Sequence, residues 1–232
     1  MADIKIVALD LGGVLFSAGK EYAKREWKEN GYDVDLIHDL LISDEAQQLR
    51  KGIISDNEFW NNYFKTKVPS NYNAELIKQC YYRGYILDED IVSWMKRIKE
   101  NSKSSSHPIE LVAFSGNIPS RIKYLNEKYQ FRKLFDKEAY SFDCGATKPD
   151  NYFIEYLIKV SFPEETKDVT IQHGKPLEGE QLELFKKLGK SILYLDDSPK
   201  DAAPALRYDI NLFIYERGHI NNLFDKFPKL KF

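Results

Sequence analysis

Cysteine is scarce in this chain: Cys80 and Cys144 are the only two in 232 residues, far apart and at no spacing that a metal site uses. That scarcity argues against a disulfide-stapled fold or a thiolate metal centre, and two buried thiols in a reducing compartment are expected instead. Long apolar runs are missing too, none approaching the ~18 residues needed to cross a bilayer. The opening Met1-Ala2-Asp3-Ile4-Lys5 lacks the basic-then-apolar layout of a signal peptide, which makes the cytoplasm the expected location. Neither sign of charge prevails: 34 basic against 36 acidic residues leave a net charge of −2, without the basic excess that nucleic-acid binding requires. An anionic small molecule stays open as a partner, since a site can be locally positive on a nearly neutral protein. There is no internal repeat and no low-complexity tract, and the sequence does not indicate an oligomeric state.

What is present reads as a globular α/β chain, with 43% apolar and 30% charged residues. Ile4 to Leu11 is a short apolar run that ends at Asp10 and a Gly-Gly pair, the pattern of a buried parallel strand with a functional residue at its carboxyl end. From about Ser17 to Lys99 the chain reads as helical. Gly52 follows Glu45 to Lys51 as a C′ glycine, and Ser55-Asp56-Asn57-Glu58 is a capping box before Phe59, Trp60, Tyr63 and Phe64. Asp88 suits the cap of a helix carrying Ile91, Met95 and Ile98. Trp27, Trp60 and Trp94 are expected in the core of this helical block. Strand–helix alternation resumes at Ile109 to Phe114, with Pro119 at a first helical position. It continues through a weak strand at Ala139 to Phe142, a firm one at Ser191 to Leu195 and a last one at Asn211 to Tyr215. The implied architecture is a Rossmann-like parallel sheet with helices on both faces, residues 1–16 and 101–232, interrupted by an α-helical insertion, residues 17–100.

Ligands of such sheets bind beyond the carboxyl ends of the strands. Asp10, Ser115 and the pair Asp196-Asp197 all stand at such ends, and Lys148 follows the weak strand. Three carboxylates gathered there would repel one another unless a cation lay among them. Oxygen ligands without His or Cys point to a hard ion, and Mg²⁺ is the usual companion of carboxylates and a phosphate. A carboxylate beside that ion can attack phosphorus, with Lys148 and Ser115 available to hold the phosphoryl oxygens.

Val7-Ala8-Leu9-Asp10-Leu11-Gly12-Gly13-Val14-Leu15 resembles the first motif of the haloacid dehalogenase-like (HAD) hydrolases. Phe114-Ser115 resembles the second motif, Lys148-Pro149 the third and Leu195-Asp196-Asp197-Ser198 the fourth. The four occur in order over most of the chain, with helices after the first, as in members that carry an α-helical cap. The resemblance implies a Mg²⁺-dependent phosphatase of a small phosphorylated metabolite, such as a sugar phosphate, acting through an aspartyl-phosphate on Asp10. It further implies that Asp10, the Gly12 carbonyl and Asp197 bind the ion, with Asp196 as a weaker or water-mediated partner. Ser115 and the Gly116 N–H would hold the phosphoryl oxygens, and Lys148 would bind both the phosphate and Asp10.

Two departures stand out. Most phosphatases of the superfamily carry a second Asp two residues after the nucleophile as general acid and base; here that residue is Gly12, which has no proton to give. General acid–base catalysis contributes ~10²–10⁴-fold, so this position raises the alternative of a weak or inactive binding protein on the same fold. Glu21 is a nearby candidate for a substitute acid. A dehalogenase is disfavoured, because Asp196-Asp197 serve a metal that dehalogenation does not need. The second departure is the length of residues 162–190, read as a surface elaboration near the sheet edge, with His173 on a solvated loop.

Overall fold

The computed structural model describes residues 3–231. Five parallel strands, β1 (Ile6–Leu9), β2 (Glu110–Ser115), β3 (Lys137–Tyr140), β4 (Ile192–Asp196) and β5 (Asn211–Ile214), lie in the order β3-β2-β1-β4-β5. Four fall where the apolar runs predict strands; β3 starts two residues ahead of the weak strand expected at Ala139 to Phe142, whose last two residues instead open the short helix Ser141–Cys144. The period of two along each strand sorts side chains to opposite faces. Val7, Leu9, Leu193 and Leu195 enter one core, and Ile6, Ala8, Ile192 and Tyr194 enter the other. Register pairs Leu9 with Ala113 and Leu195, so Asp10 leaves the sheet between the ends of β2 and β4. The chain order reverses on either side of β1, and the crevice of an open α/β sheet opens at such a point.

Between β1 and β2 the helices Gly19–Glu29, Val34–Ile42, Asp44–Arg50 and Ala74–Arg83 form the insertion. Gly52 ends the third of them at φ +69°, and Asn73 caps the fourth through Leu76 N–H. The capping box forms, with Ser55 N–H donating to Glu58 Oε2 at 2.7 Å and Glu58 N–H to Ser55 Oγ at 3.2 Å. The helix it opens, Glu58–Phe64, is a π-helix. Its wider turn aligns residues four and five apart, and Phe59, Trp60 and Phe64 are the buried ones.

Two antiparallel linkers carry the insertion. Phe16 bridges Leu87, Ser17 N–H donates to Ile86 C=O at 2.8 Å and Asp88 N–H to Leu15 C=O at 2.8 Å. Helix Glu89–Ser102, grouped with the insertion on sequence grounds, lies beyond these linkers and packs on β2. Its Trp94 indole donates to Leu230 C=O at 3.0 Å, so its apolar stripe is covered by the sheet and the C-terminal segment. Trp27, Trp60 and Trp94 are all buried core residues.

Residues 162–190 are more ordered than a surface elaboration. The segment buries Thr166, Val169 and Leu177 and continues into helix Gly179–Gly189, whose Phe185 joins the second core. Buried Glu155 accepts from Leu177 N–H at 2.9 Å and Tyr208 O–H at 2.6 Å, while Lys159 donates to Thr166 C=O at 2.8 Å. Both cysteines are free thiols, Cys80 buried and Cys144 partly so, a half-exposure that the sequence does not anticipate. Among the described residues, no helix is long and apolar enough to cross a membrane.

Candidate active site

Asp10 follows β1 directly, at the start of a turn that Gly13 makes possible. Gly13 has φ +82°, and a Cβ there would lie 2.0 Å from an Asp197 carboxylate oxygen, so glycine is required by backbone and space alike. Asp10 Oδ1 accepts from Leu11 N–H at 2.6 Å and Ser115 Oγ–H at 2.7 Å. Its Oδ2 lies 3.0 Å from Lys148 Nζ, which also donates to Asp196 Oδ2 at 2.7 Å. The lysine is only 7% exposed and sits 5.3 Å from the ring centres of Phe114 and Tyr194. Asp10, Ser115 and Asp196, picked out at three separate strand ends, are thus joined with Lys148 in one set of direct contacts.

Asp196 and Asp197 divide their work. Asp196 is 1% exposed; its Oδ2 accepts from Lys148 and Tyr194, and its Oδ1 from Ser198 N–H at 2.8 Å. Asp197 projects toward solvent, and Ser198 instead caps the helix that follows, accepting from Asp201 N–H at 3.2 Å. Carboxylate oxygens of Asp10, Asp196 and Asp197 lie within 4.8 Å of one another. Burial raises the Asp10 carboxyl, Lys148 pulls it down and Asp196 pushes it up, with a net upward shift. Burial, Asp10 and Asp196 together raise Asp197 to about 6. Burial would lower Lys148, but Asp10 and Asp196 outweigh it and hold the ammonium protonated. Three carboxylates against one buried ammonium leave excess negative charge among hard oxygen donors, which suits a divalent cation.

The cleft over these groups has a volume of about 420 Å³ and is lined by Gly12, Ser115, Gly116 and Thr147 below. The insertion supplies Lys20, Arg50, Tyr81 and Tyr85 above, and helix Pro119–Tyr129 adds Arg121. A Cβ on Gly12 would stand 3.4 Å from the Tyr85 ring, so this phenol faces the place of the absent second Asp. The insertion is seated on the sheet domain through Ser141 Oγ, which donates to Arg50 C=O at 2.6 Å, and Ser120 Oγ, which donates to Asp56 at 2.6 Å. Glu21 also lines the cleft, exposed and paired with half-buried Lys24 at 2.8 Å. His173 lies on an exposed loop but is not free in solvent: it bonds Cys144 C=O at 3.0 Å and stacks on Tyr152 at 3.8 Å.

Arg121, Arg50, Lys20, Tyr81 and Tyr85 were not singled out from sequence. One signal was available, since Arg121 interrupts the apolar side of its helix next to Ile122 and four residues after Asn117. Burial would push the Tyr81 phenol up, yet Arg121, Arg50 and Lys20 bring it down to about 7. An absorbance titration at 295 nm is therefore expected to show one phenolate forming near neutrality, and Tyr81→Phe to remove that step. The sign follows from a folded-state pKa below the ordinary 10: the charge of Tyr81 adds stability above pH 10 that is lost as pH falls through about 7. A titration with no phenolate below pH 9 would contradict it.

No family model matches the chain. An uncharacterised protein of Dictyostelium discoideum is 70% identical over 228 residues, 98% of each chain. Among solved structures, a HAD family enzyme of Bacteroides thetaiotaomicron, in complex with magnesium and inorganic phosphate, superposes with a TM-score of 0.69. That match has 18% identity and covers 95% of this chain and 99% of the other. A HAD-like family hydrolase of Porphyromonas gingivalis gives a TM-score of 0.65 at 19% identity, over 98% and 99% of the two chains.

Proposed function

We propose that the chain, whose fold is that of the haloacid dehalogenase-like hydrolases, is a member of that superfamily and a Mg²⁺-dependent phosphatase of a small phosphorylated metabolite. The observation that carries this reading is the contact set Ser115–Asp10–Lys148–Asp196, with Asp197 beside it. Asp10, the Gly12 carbonyl and Asp197 would hold the ion. Mg²⁺ supplies neutralisation of the nucleophile and of the phosphoryl oxygens, which would otherwise repel. Asp196, with its oxygens already taken by Lys148, Tyr194 and Ser198, acts chiefly by fixing Lys148.

In the reaction, an Asp10 carboxylate oxygen forms a bond to phosphorus as the bond from phosphorus to the leaving oxygen breaks. Lys148 and Ser115 turn toward the phosphoryl oxygens, joined by Gly116 N–H, and offset the charge that gathers there. Water then cleaves the aspartyl-phosphate, releasing inorganic phosphate and restoring Asp10. The phenol of Tyr85, pushed up by burial, keeps its proton and is a poor acid. The leaving oxygen therefore takes its proton from water or from Glu21, the carboxyl on the insertion side of the cleft. The helices between the two linkers act as the cap, placing Lys20, Arg50, Tyr81 and Tyr85 over the leaving group.

A second reading, a binding protein without turnover, draws on Gly12 and on the Tyr85 ring that faces it. Phosphate release from p-nitrophenyl phosphate separates the two, because this leaving group needs no acid. Release that requires Mg²⁺ and stops with EDTA is the expected outcome. A folded protein that binds Mg²⁺ yet releases no phosphate would establish the second reading.

A further inference from the structure

Three cations face the cleft from the side opposite the carboxylates: Lys20 in the first turn of helix Gly19–Glu29, Arg50 at the end of helix Asp44–Arg50, and Arg121 in helix Pro119–Tyr129. Among the described residues, none of the three has a carboxylate partner. Glu21, the acid on this wall, is 66% exposed and given to Lys24. Clustered cations without a carboxylate among them repel one another: burial, Arg50 and Arg121 lower the Lys20 ammonium against the opposing pull of the Tyr81 phenol.

Arg121 is the centre of the cluster. It is 3% exposed, and its guanidinium carbon lies 4.5 Å from the Tyr81 ring centre and 4.4 Å from that of Tyr85. Its Nε donates to Asn117 Oδ1 at 2.5 Å, and Asn117 is itself fixed by Ile118 N–H at 2.9 Å. With two rings over its faces and one edge anchored, the planar fork has a set direction. Its Nη1 is buried and donates to nothing. Buried donors in native folds almost always have an acceptor, so an unpaired guanidinium N–H beside a cleft indicates a ligand that supplies one. Planar, two-pronged recognition of a carboxylate or phosphate is what a preorganised guanidinium does best.

We propose that Lys20, Arg50 and Arg121 form an anion subsite, and that the substrate is a phosphomonoester whose leaving group carries a second oxyanion, a carboxylate or a further phosphoryl group. The proposal rests on the phosphatase reading of the same cleft. A cavity of about 420 Å³ holds a phosphoryl group and a few carbons between the two ends. The lowered Tyr81 phenol agrees with a positive potential at this end, three cations against at most one phenolate.

The test compares kcat/KM for phosphoglycolate and 1,3-propanediol bisphosphate with that for ethyl phosphate, in the Mg²⁺-loaded protein. At least one doubly anionic ester should exceed ethyl phosphate by ~10²-fold or more, since an unmatched buried charge is costly. Which of the two is preferred identifies the second anion. That preference should collapse toward unity in Arg121→Gln; Arg50→Gln, at a less buried position, serves if Arg121→Gln does not fold. Equal turnover of all three esters would overturn the subsite while leaving the phosphatase reading intact. If no ester is turned over, calorimetric titration with phosphonoacetate against ethylphosphonate decides independently of chemistry. At least ~10-fold tighter binding of phosphonoacetate, lost in Arg121→Gln, supports the subsite, and equal binding overturns it.

Discussion

Asp10→Asn is expected to lower Mg²⁺-dependent phosphate release by at least ~10⁴-fold, while the protein keeps its fold. The substitution is nearly isosteric. The amide oxygen can still accept from Leu11 N–H and Ser115 Oγ, the bonds that Asp10 Oδ1 makes at 2.6 and 2.7 Å. The nucleophile is lost, and one of three crowded carboxylates becomes neutral. Asp10 is raised by burial and by Asp196 against the pull of Lys148, so its charge is held at a cost in the metal-free protein. The thermal midpoint of the metal-free variant should therefore equal or exceed that of the wild type. A kinetic defect without a stability defect assigns Asp10 to chemistry. Retention of more than ~1% of wild-type turnover would show that another group attacks phosphorus.

Lys148→Met should behave in the opposite way, damaging stability as well as activity. Lys148 lies 3.0 Å from Asp10 and 2.7 Å from Asp196 and is 7% exposed, so its removal leaves two buried carboxylates facing each other. Breaking a buried ion pair from one side costs ~3–5 kcal/mol. The pH dependence has a definite sign. Lys148 is raised above 10.5 in the fold, so its contribution is fully present below that pH and lost only as pH rises through the folded value. In the variant, Asp10 and Asp197 lose a cation that lowers them both, and each is already raised. An acid raised by folding disfavours the fold once it ionises. The variant should thus regain stability as pH falls through about 6, the region where Asp197 protonates. Urea unfolding at pH 8 and pH 5 measures this: the gap to wild type should narrow at the lower pH. A gap that stays constant or widens would mean that the lysine acts by packing on Phe114 and Tyr194, not by charge.

Much of this site is legible in the sequence because its chemistry is punctuated locally. Asp10, Ser115 and Asp196 each end a short apolar run, and in a parallel sheet such ends converge by topology. Lys148-Pro149 and Gly12-Gly13 mark turns in the same way. The strands could be found for a related reason, since residues buried on both faces read as uninterrupted apolar segments. Caps at Ser55 and Asp88 rest on side chains bonding backbone within three residues, another local interaction.

Other features needed the folded chain. Helix Glu89–Ser102 has a stripe that would suit either domain, and only its contacts with β2 and Leu230 assign it to the sheet. The pattern of residues 162–190 resembles a loop because its anchors, Glu155 and Lys159, precede it on another helix. Asp196 and Asp197 are equivalent as letters; the pleat of β4 buries the first against Lys148 and turns the second outward. The cationic wall is the clearest case. Lys20, Arg50 and Arg121 are separated by 30 and 71 positions, on three helices whose rotation about their axes decides whether the charges meet or diverge. Residue type and spacing announce the groups that act on phosphorus, whereas the groups that meet the leaving group depend on how the insertion packs against helix Pro119–Tyr129. That packing follows from side-chain shape across long-range contacts, which no local pattern records.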